Sequence, residues 1–170
     1  MKQARETAGE FYVVLNNIRS TQNVGAILRT CDASGIDKVF FSGITPSPID
    51  RFGRKRSDVS KSALGAEDSV KWEVLEEIGK SVESFLKEMK SDGFQIVALE
   101  QSKNSVDYKN LNKEFPADKR VVLVGNEVKG VDSEILDLCD VTAEIPMLGE
   151  KESLNVAVAF GIFIFRILEI

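Results

Sequence analysis

Three polar clusters interrupt otherwise apolar stretches of this 170-residue chain, and each carries side chains able to hold a ligand. The first is NNIRSTQNVGAILRT, residues 16–30, with Asn23, Gly25 and Arg29. Polar residues here follow a strand-like run and lead into a helix, whose first N–H groups favour an anion. Gly25 admits a close neighbour to the backbone, and Arg29 can fork onto a phosphate or carboxylate. The spacing equally allows Asn23 to be an N-cap and Arg29 a solvated helix residue. A dinucleotide fingerprint would need G-x-G-x-x-G here, and it is absent.

The second cluster is VVLVGNEVKGVDSE, residues 121–134. A strand breaks at Gly125, and Asn126, Glu127 and Gly130 follow. The two glycines let a backbone loop wrap a flat ligand, and Glu127 could accept a hydrogen bond or pair with Arg29. No G-K-[ST] follows, so this is not a P-loop. A plain strand-to-helix turn, with Glu127 near a helix start, fits the spacing as well. The third is IPMLGEKESLNVAVAFGIFIF, residues 145–165, where Ser153 and Asn155 bring a hydroxyl and an amide to the start of a last helix. Ser153 is the expected N-cap. Asn155 suits neither a helix interior nor a core, unless its amide is bonded to nearby backbone.

A fourth feature is basic. From Arg51 to Lys61 stand Arg51, Arg54, Lys55, Arg56 and Lys61 against the single acid Asp58, a local charge of +4 in a chain of net charge −5. Such a patch can grip a phosphate backbone, or be a solvated loop. The chain has no histidine, which excludes histidine triads, histidine metal sites and a histidine base. Cys31 and Cys139 form neither a disulfide framework nor a metal spacing, so reduced cysteines, no metal and a cytoplasmic setting are expected.

These clusters need elements to position them. Apolar runs at 11–17, 37–43, 94–100, 119–127 and 141–147 read as strands. Helices are expected at 23–35, stopped by Gly35, at 74–93 from the spacing of Leu75, Ile78, Val82, Phe85 and Met89, around 133–139, and after Ser153. Residues 44–61 read as a long surface loop. Alternating strands and helices, with strands apolar throughout, predict an α/β fold: a mostly parallel sheet with helices on both faces. Ligands in such folds bind beyond the carboxyl ends of strands. The apolar run Val156–Phe165 is too short to span a membrane, so a buried core helix is expected. The N-terminus MKQARETAGEFY has no apolar signal core. The length fits one domain.

Taken together, NIRSTQNVGAILRTCDASG, KSALGAE, LVGNEVKGVDSEIL and IPMLGEKESLNVAVAFGI resemble, in order, the signature blocks of the SpoU/TrmH branch of the SPOUT RNA methyltransferases. The resemblance spans residues 17–165. It implies a C-terminal deep trefoil knot, a homodimer with its active site at the subunit interface, and methyl transfer from S-adenosyl-L-methionine to a ribose 2′-hydroxyl of tRNA or rRNA. Carried over by position, Asn23, Arg29, Glu127, Ser153 and Asn155 form the polar catalytic set. Leu123, Gly125, Asn126, Gly130, Ile145, Met147 and Leu154 cradle the cofactor. Arg19 and the basic residues Arg51, Arg54, Lys55, Arg56 and Lys61 are expected on RNA. The family's arginine at Arg29 has been proposed as the base. Arginine keeps its proton in proteins, so Arg29, oriented by Glu127 and Asn23, is expected to fix a substrate phosphate and favour the developing alkoxide. Many relatives carry a further RNA-binding domain; here a single domain, residues 1–170, is expected.

Overall fold

A computed structural model describes residues 9–170, and within them every strand of a seven-stranded sheet pairs in parallel. Residues 1–8, part of the segment read for a signal core, lie outside the described residues. In chain order the elements are β1 (Glu10–Asn16), α1 (Thr21–Ser34), β2 (Lys38–Ser42), α2 (Ser57–Ala63), α3 (Ala66–Ser69), β3 (Trp72–Val74) and α4 (Val82–Ser91). Then follow β4 (Gln95–Leu99), β5 (Val106–Asp107), α5 (Leu111–Glu114), β6 (Lys119–Val124), α6 (Ser133–Leu136), β7 (Val141–Glu144) and α7 (Val156–Ile167). The sheet order is β3-β2-β1-β6-β4-β7-β5. The chain therefore returns to the middle of the sheet with β6 before adding β7. That return is compatible with the trefoil knot the resemblance implies.

The sheet is covered on both faces because its strands are apolar on both. One face carries Val13, Leu15, Val39, Phe41, Val122 and Val124 against α1, α2 and α7; the other carries Val14, Phe40, Val121 and Leu123 against α4 and α6. Each fully buried Leu or Phe contributes about 1.5–3 kcal/mol. Gly35 ends α1 in the left-handed region at φ 71°, as expected, and the N–H of Ile36 reaches the Cys31 carbonyl at 3.0 Å.

Three expectations need correction. The helix read at 74–93 starts only at Val82, where Ser81 and Ser84 form a capping box. Before it, Trp72–Val74 pairs with β2, and a short 3-10 turn at Glu76–Ile78 ends at Gly79, φ 72°. Leu75 and Ile78 thus lie off the helix. The loop 44–61 ends in α2 from Ser57 and carries a small antiparallel bridge, Ile49 to Lys55. Finally, α7 is not buried all round. Phe160, Phe163, Ile164 and Ile167 enter the core, while Val158, Ile162 and Phe165 are 51%, 41% and 40% exposed. Among the described residues no helix is long and apolar enough to cross a membrane.

Candidate active site

At the carboxyl edge of the sheet, the loops after β1, β6 and β7 are bonded to one another. The loop after β6 is a tight turn. Asn126 and Gly130 exchange backbone hydrogen bonds of 3.0 and 2.9 Å, and the Asn126 Oδ1 accepts from the N–H groups of Val128 and Lys129 at 2.9 and 3.0 Å. Gly130 sits at φ 70°, and a Cβ on Gly125 would lie 2.5 Å from Val131 and 2.7 Å from the Gly130 carbonyl. The two glycines therefore let this turn fold tightly on itself, and a smooth backbone wall results. The Asn126 Nδ2 donates across to the Asn17 carbonyl at 2.8 Å, joining this turn to the loop after β1.

Glu127 extends that junction. Its Oε2 accepts from the Arg19 N–H, and its Oε1 accepts from the Ser20 N–H and the Asn23 Nδ2, each at 3.0 Å. Ser20, not Asn23, is the N-cap of α1, its hydroxyl accepting from the Asn23 N–H. Partial burial pushes the Glu127 carboxyl up, but the N–H donors and the Asn23 amide outweigh it, and its pKa lies below the ordinary glutamate value. The chain of bonds continues to the third loop. The Asn155 Nδ2 donates to the Asn23 Oδ1 at 3.0 Å, and the Asn155 Oδ1 accepts from the N–H groups of Ala157 and Val158 at 2.9 and 3.3 Å. Asn155, not Ser153, is thus the N-cap of α7. An amide both accepts at one atom and donates at another, so it can cap the helix and still reach α1, which a serine hydroxyl two residues earlier cannot. Acceptor-only carboxylate at one end and helix N–H donors at the other fix both amide orientations.

Beside this chain lies a cleft of about 300 Å³. Gly125, Asn126, Gly130, Ile145, Met147 and Leu154 of the expected cofactor cradle line it, with Glu127 and Ser153. Leu123 does not; it is fully buried in the core under α4 and α6. The reading of residues missed Glu100, Gln101, Glu144 and Glu152, which also line the cleft. The Glu100 carboxylate accepts from the N–H groups of Gln101 and Val131 at 2.8 and 3.1 Å, and the Gln101 Nε2 donates to the Glu152 carbonyl at 2.9 Å. The signal available for Glu100 was its place as the last residue of an expected strand, at the ligand-binding edge. Four glutamates, Glu100, Glu127, Glu144 and Glu152, face one lysine, Lys129, in this lining. The lining suits a cationic ligand.

Arg29 is elsewhere. It is exposed on α1 and makes no hydrogen bond or ion pair among the described residues. Six residues of helix separate it from Asn23, roughly 9 Å along the axis. Both Glu127 oxygens are already occupied at the start of α1, so Glu127 and Asn23 do not orient Arg29 within one protomer. Nor does Gly25 face a ligand: a Cβ there would lie 2.0 Å from the Ser62 Oγ and 2.5 Å from the Val59 carbonyl, so it permits close packing of α1 on α2. The basic segment is less charged than its window implied. Arg54 pairs with Asp50 and Lys55 with Asp68, each at 2.8 Å, using acids just outside 51–61. Arg19, Arg51, Arg56 and Lys61 make no ion pair among the described residues. The two thiols are free; burial pushes Cys139 up to about 11 and Cys31 higher still, which disfavours the thiolate at both.

Residues 10–165 match the sequence profile of the SpoU rRNA Methylase family. The chain belongs to the SpoU methylase family. It is 34% identical over 157 residues to a tRNA (guanosine(18)-2′-O)-methyltransferase of Aquifex aeolicus, covering 92% of this chain and 68% of that protein. A putative TrmH family tRNA/rRNA methyltransferase of Staphylococcus aureus is 30% identical, with 98% of this chain and 62% of the relative covered. Among solved structures, an S-adenosylmethionine-bound rRNA methyltransferase from Sinorhizobium meliloti superposes with a TM-score of 0.78 at 29% identity, over 96% of this chain and 57% of that one. This SpoU methylase chain thus spans from 57% to 68% of the length of these relatives. The matched segment runs from β1 almost to the end of α7, so all three site loops lie inside it.

Proposed function

We propose that this chain is an S-adenosylmethionine-dependent RNA methyltransferase acting on a ribose 2′-hydroxyl of tRNA or rRNA. The observation that carries the reading is the Glu127–Asn23–Asn155 chain, which draws three family loops around one cleft. The lining fits the cofactor: Ile145, Met147 and Leu154 offer apolar contact, the 125–130 turn offers backbone groups, and the surplus of glutamates suits a sulfonium. When bound, S-adenosylmethionine supplies an electrophilic methyl group. The protein's part is positioning. Ser153, exposed at the cleft, contacts the RNA. Arg29 keeps its proton, forks onto a substrate phosphate and stabilises the alkoxide as the hydroxyl is deprotonated, with the RNA phosphate as proton acceptor.

The distance of Arg29 from its own cleft and the open apolar stripe of α7 both support a homodimer. Val158, Ile162 and Phe165 recur at helical spacing on that stripe, and a second copy of α7 would cover it. In such a dimer Arg29 of one protomer completes the cleft of the other. Arg19, Arg51, Arg56 and Lys61 then draw in the RNA backbone, within a single knotted domain in the cytoplasm.

The test supplies methyl-labelled S-adenosylmethionine with total tRNA and, separately, rRNA, and maps the labelled nucleotide. Label on a ribose is expected. Label on a base would overturn the ribose assignment, and cofactor binding with no transfer to either RNA would mark a binding module instead.

A further inference from the structure

We propose that Phe52, held at a loop tip beside two guanidinium groups, is a stacking platform for one unpaired nucleobase of the RNA substrate. The proposal rests on the reading of the chain as an RNA-modifying enzyme and adds what kind of RNA it takes. Phe52 is 65% exposed, although burying such a ring is worth about 1.5–3 kcal/mol. The ring does not sit on a slack loop. The Asp50 Oδ1 accepts from the N–H groups of Phe52 and Arg54 at 2.8 and 3.0 Å, and its Oδ2 accepts from the Arg54 Nε at 2.9 Å. Asp50 and Arg54 are also bonded through the Asp50 N–H and Arg54 carbonyl at 2.9 Å, and Gly53 closes the turn at φ 76°. A folded turn thus presents the ring to solvent.

Its neighbours say what the ring is for. The Arg51 and Arg54 guanidiniums lie 4.8 and 5.0 Å from its centroid. Arg54 is held beside the ring by its ion pair with Asp50. Arg51 has no carboxylate partner among the described residues and can give way. A base taking its place on the ring leaves Arg51 free for the adjoining phosphate. Aromatic faces combined with arginine are the means by which unpaired nucleotides are held. An apolar protein partner would have to desolvate both guanidiniums, so RNA is the better occupant. The turn grows from the carboxyl end of β2, the same edge as the cleft. Only β1 separates β2 from β6, which at about 4.8 Å per strand puts its root roughly 10 Å from the glycine turn. A paired base has both faces covered and cannot use the platform, so the target nucleotide lies beside unpaired RNA.

Fluorescence anisotropy of the full chain with a short unstructured RNA, and with the same sequence in a duplex, tests this. Phe52→Ala should weaken binding to the unpaired RNA by roughly fivefold to a hundredfold and leave duplex affinity unchanged. Phe52→Leu, which keeps apolar bulk without the π face, should behave as Phe52→Ala. Phe52→Trp should retain affinity, with indole emission quenched when RNA is added. Unchanged affinity of Phe52→Ala for unpaired RNA, equal losses on both RNAs, or full retention by Phe52→Leu would each overturn the proposal. Calorimetry with S-adenosylmethionine on the same proteins separates the two readings. Absence of cofactor binding to the unaltered chain would sink the methyltransferase reading and leave the stacking result to stand or fall by itself.

Discussion

Asn155 is the residue where one substitution can separate two jobs. Its Oδ1 caps α7 through Ala157 and Val158, and its Nδ2 bonds to Asn23. Asn155→Ala removes both. Loss of a cap costs about 1 kcal/mol, and loss of a partly solvated amide bond about 0.5–1.5 kcal/mol, so about 2 kcal/mol should be lost in all. For a chain of this size that lowers Tm by about 4–8 °C. Asn155→Asp keeps an oxygen for the helix N–H groups but places an acceptor against the Asn23 Oδ1, with Glu127 one residue further along. It should therefore cost about half as much in stability while still loosening the three-loop junction. Cofactor affinity measured by calorimetry should fall in both variants. Urea unfolding of Asn155→Ala, Asn23→Ala and the double variant gives the coupling, expected at about 0.5–1.5 kcal/mol. If Asn155→Asp is as unstable as Asn155→Ala, the capping assignment is wrong. If the cycle shows no coupling, the amide chain does not hold the loops together.

Glu127→Gln puts an N–H₂ group against backbone donors and should lose about 1–3 kcal/mol, read from denaturant midpoints. The folded-state pKa of Glu127 is lowered, so its contribution is complete above the ordinary glutamate value and disappears as pH falls through the lowered one. The variant should flatten that acid limb; an unaltered limb would assign it to other carboxylates. Arg29→Lys keeps the charge and loses the fork, so turnover should drop by about tenfold or more, and near-native turnover would refute bidentate phosphate binding. Ile162→Glu buries a charge if α7 pairs with its copy, and should weaken association by about a hundredfold or more in sedimentation experiments. Unchanged association would remove α7 from the interface.

How much of this was legible depended on whether one segment sufficed to decide it. The strands after which ligands bind were readable because parallel strands are apolar on both faces, and Gly35 was readable because a helix stop is local. Strand order was not, since it depends on pairings such as Val97 with Val122, far apart in the chain. Short edge strands at Trp72–Val74 and Val106–Asp107 carry too few residues to show a period. Leu75 and Ile78 mimicked a helical stripe, but pairing of β3 with β2 and the turn at Gly79 overrode it. Asn155 was visible as an anomaly, while its second job depended on Asn23, 132 residues away. Glu100 went unassigned because its partners, Val131 and the 130 turn, come from another loop.

The charges of the molecule favour the two-protomer site proposed above. A glutamate-rich cleft draws in a cationic cofactor, and the same field repels an RNA phosphate brought to its mouth. Lys129 alone faces four glutamates there. Arg19, Arg29, Arg51, Arg56 and Lys61, which make no ion pair among the described residues, belong to α1, α2 and the segments preceding them. Within one protomer, Glu127 ties the start of α1 to the cleft and leaves Arg29 about two turns away. In the dimer proposed above, pairing through α7 would set the basic side of one copy against the acidic cleft of the other. A phosphate can then approach the bound cofactor only where a partner arginine cancels the repulsion. In the proposed dimer the apolar stripe of α7 and the unpaired Arg29 would be one feature: the first would bring the second to the place where its charge is required.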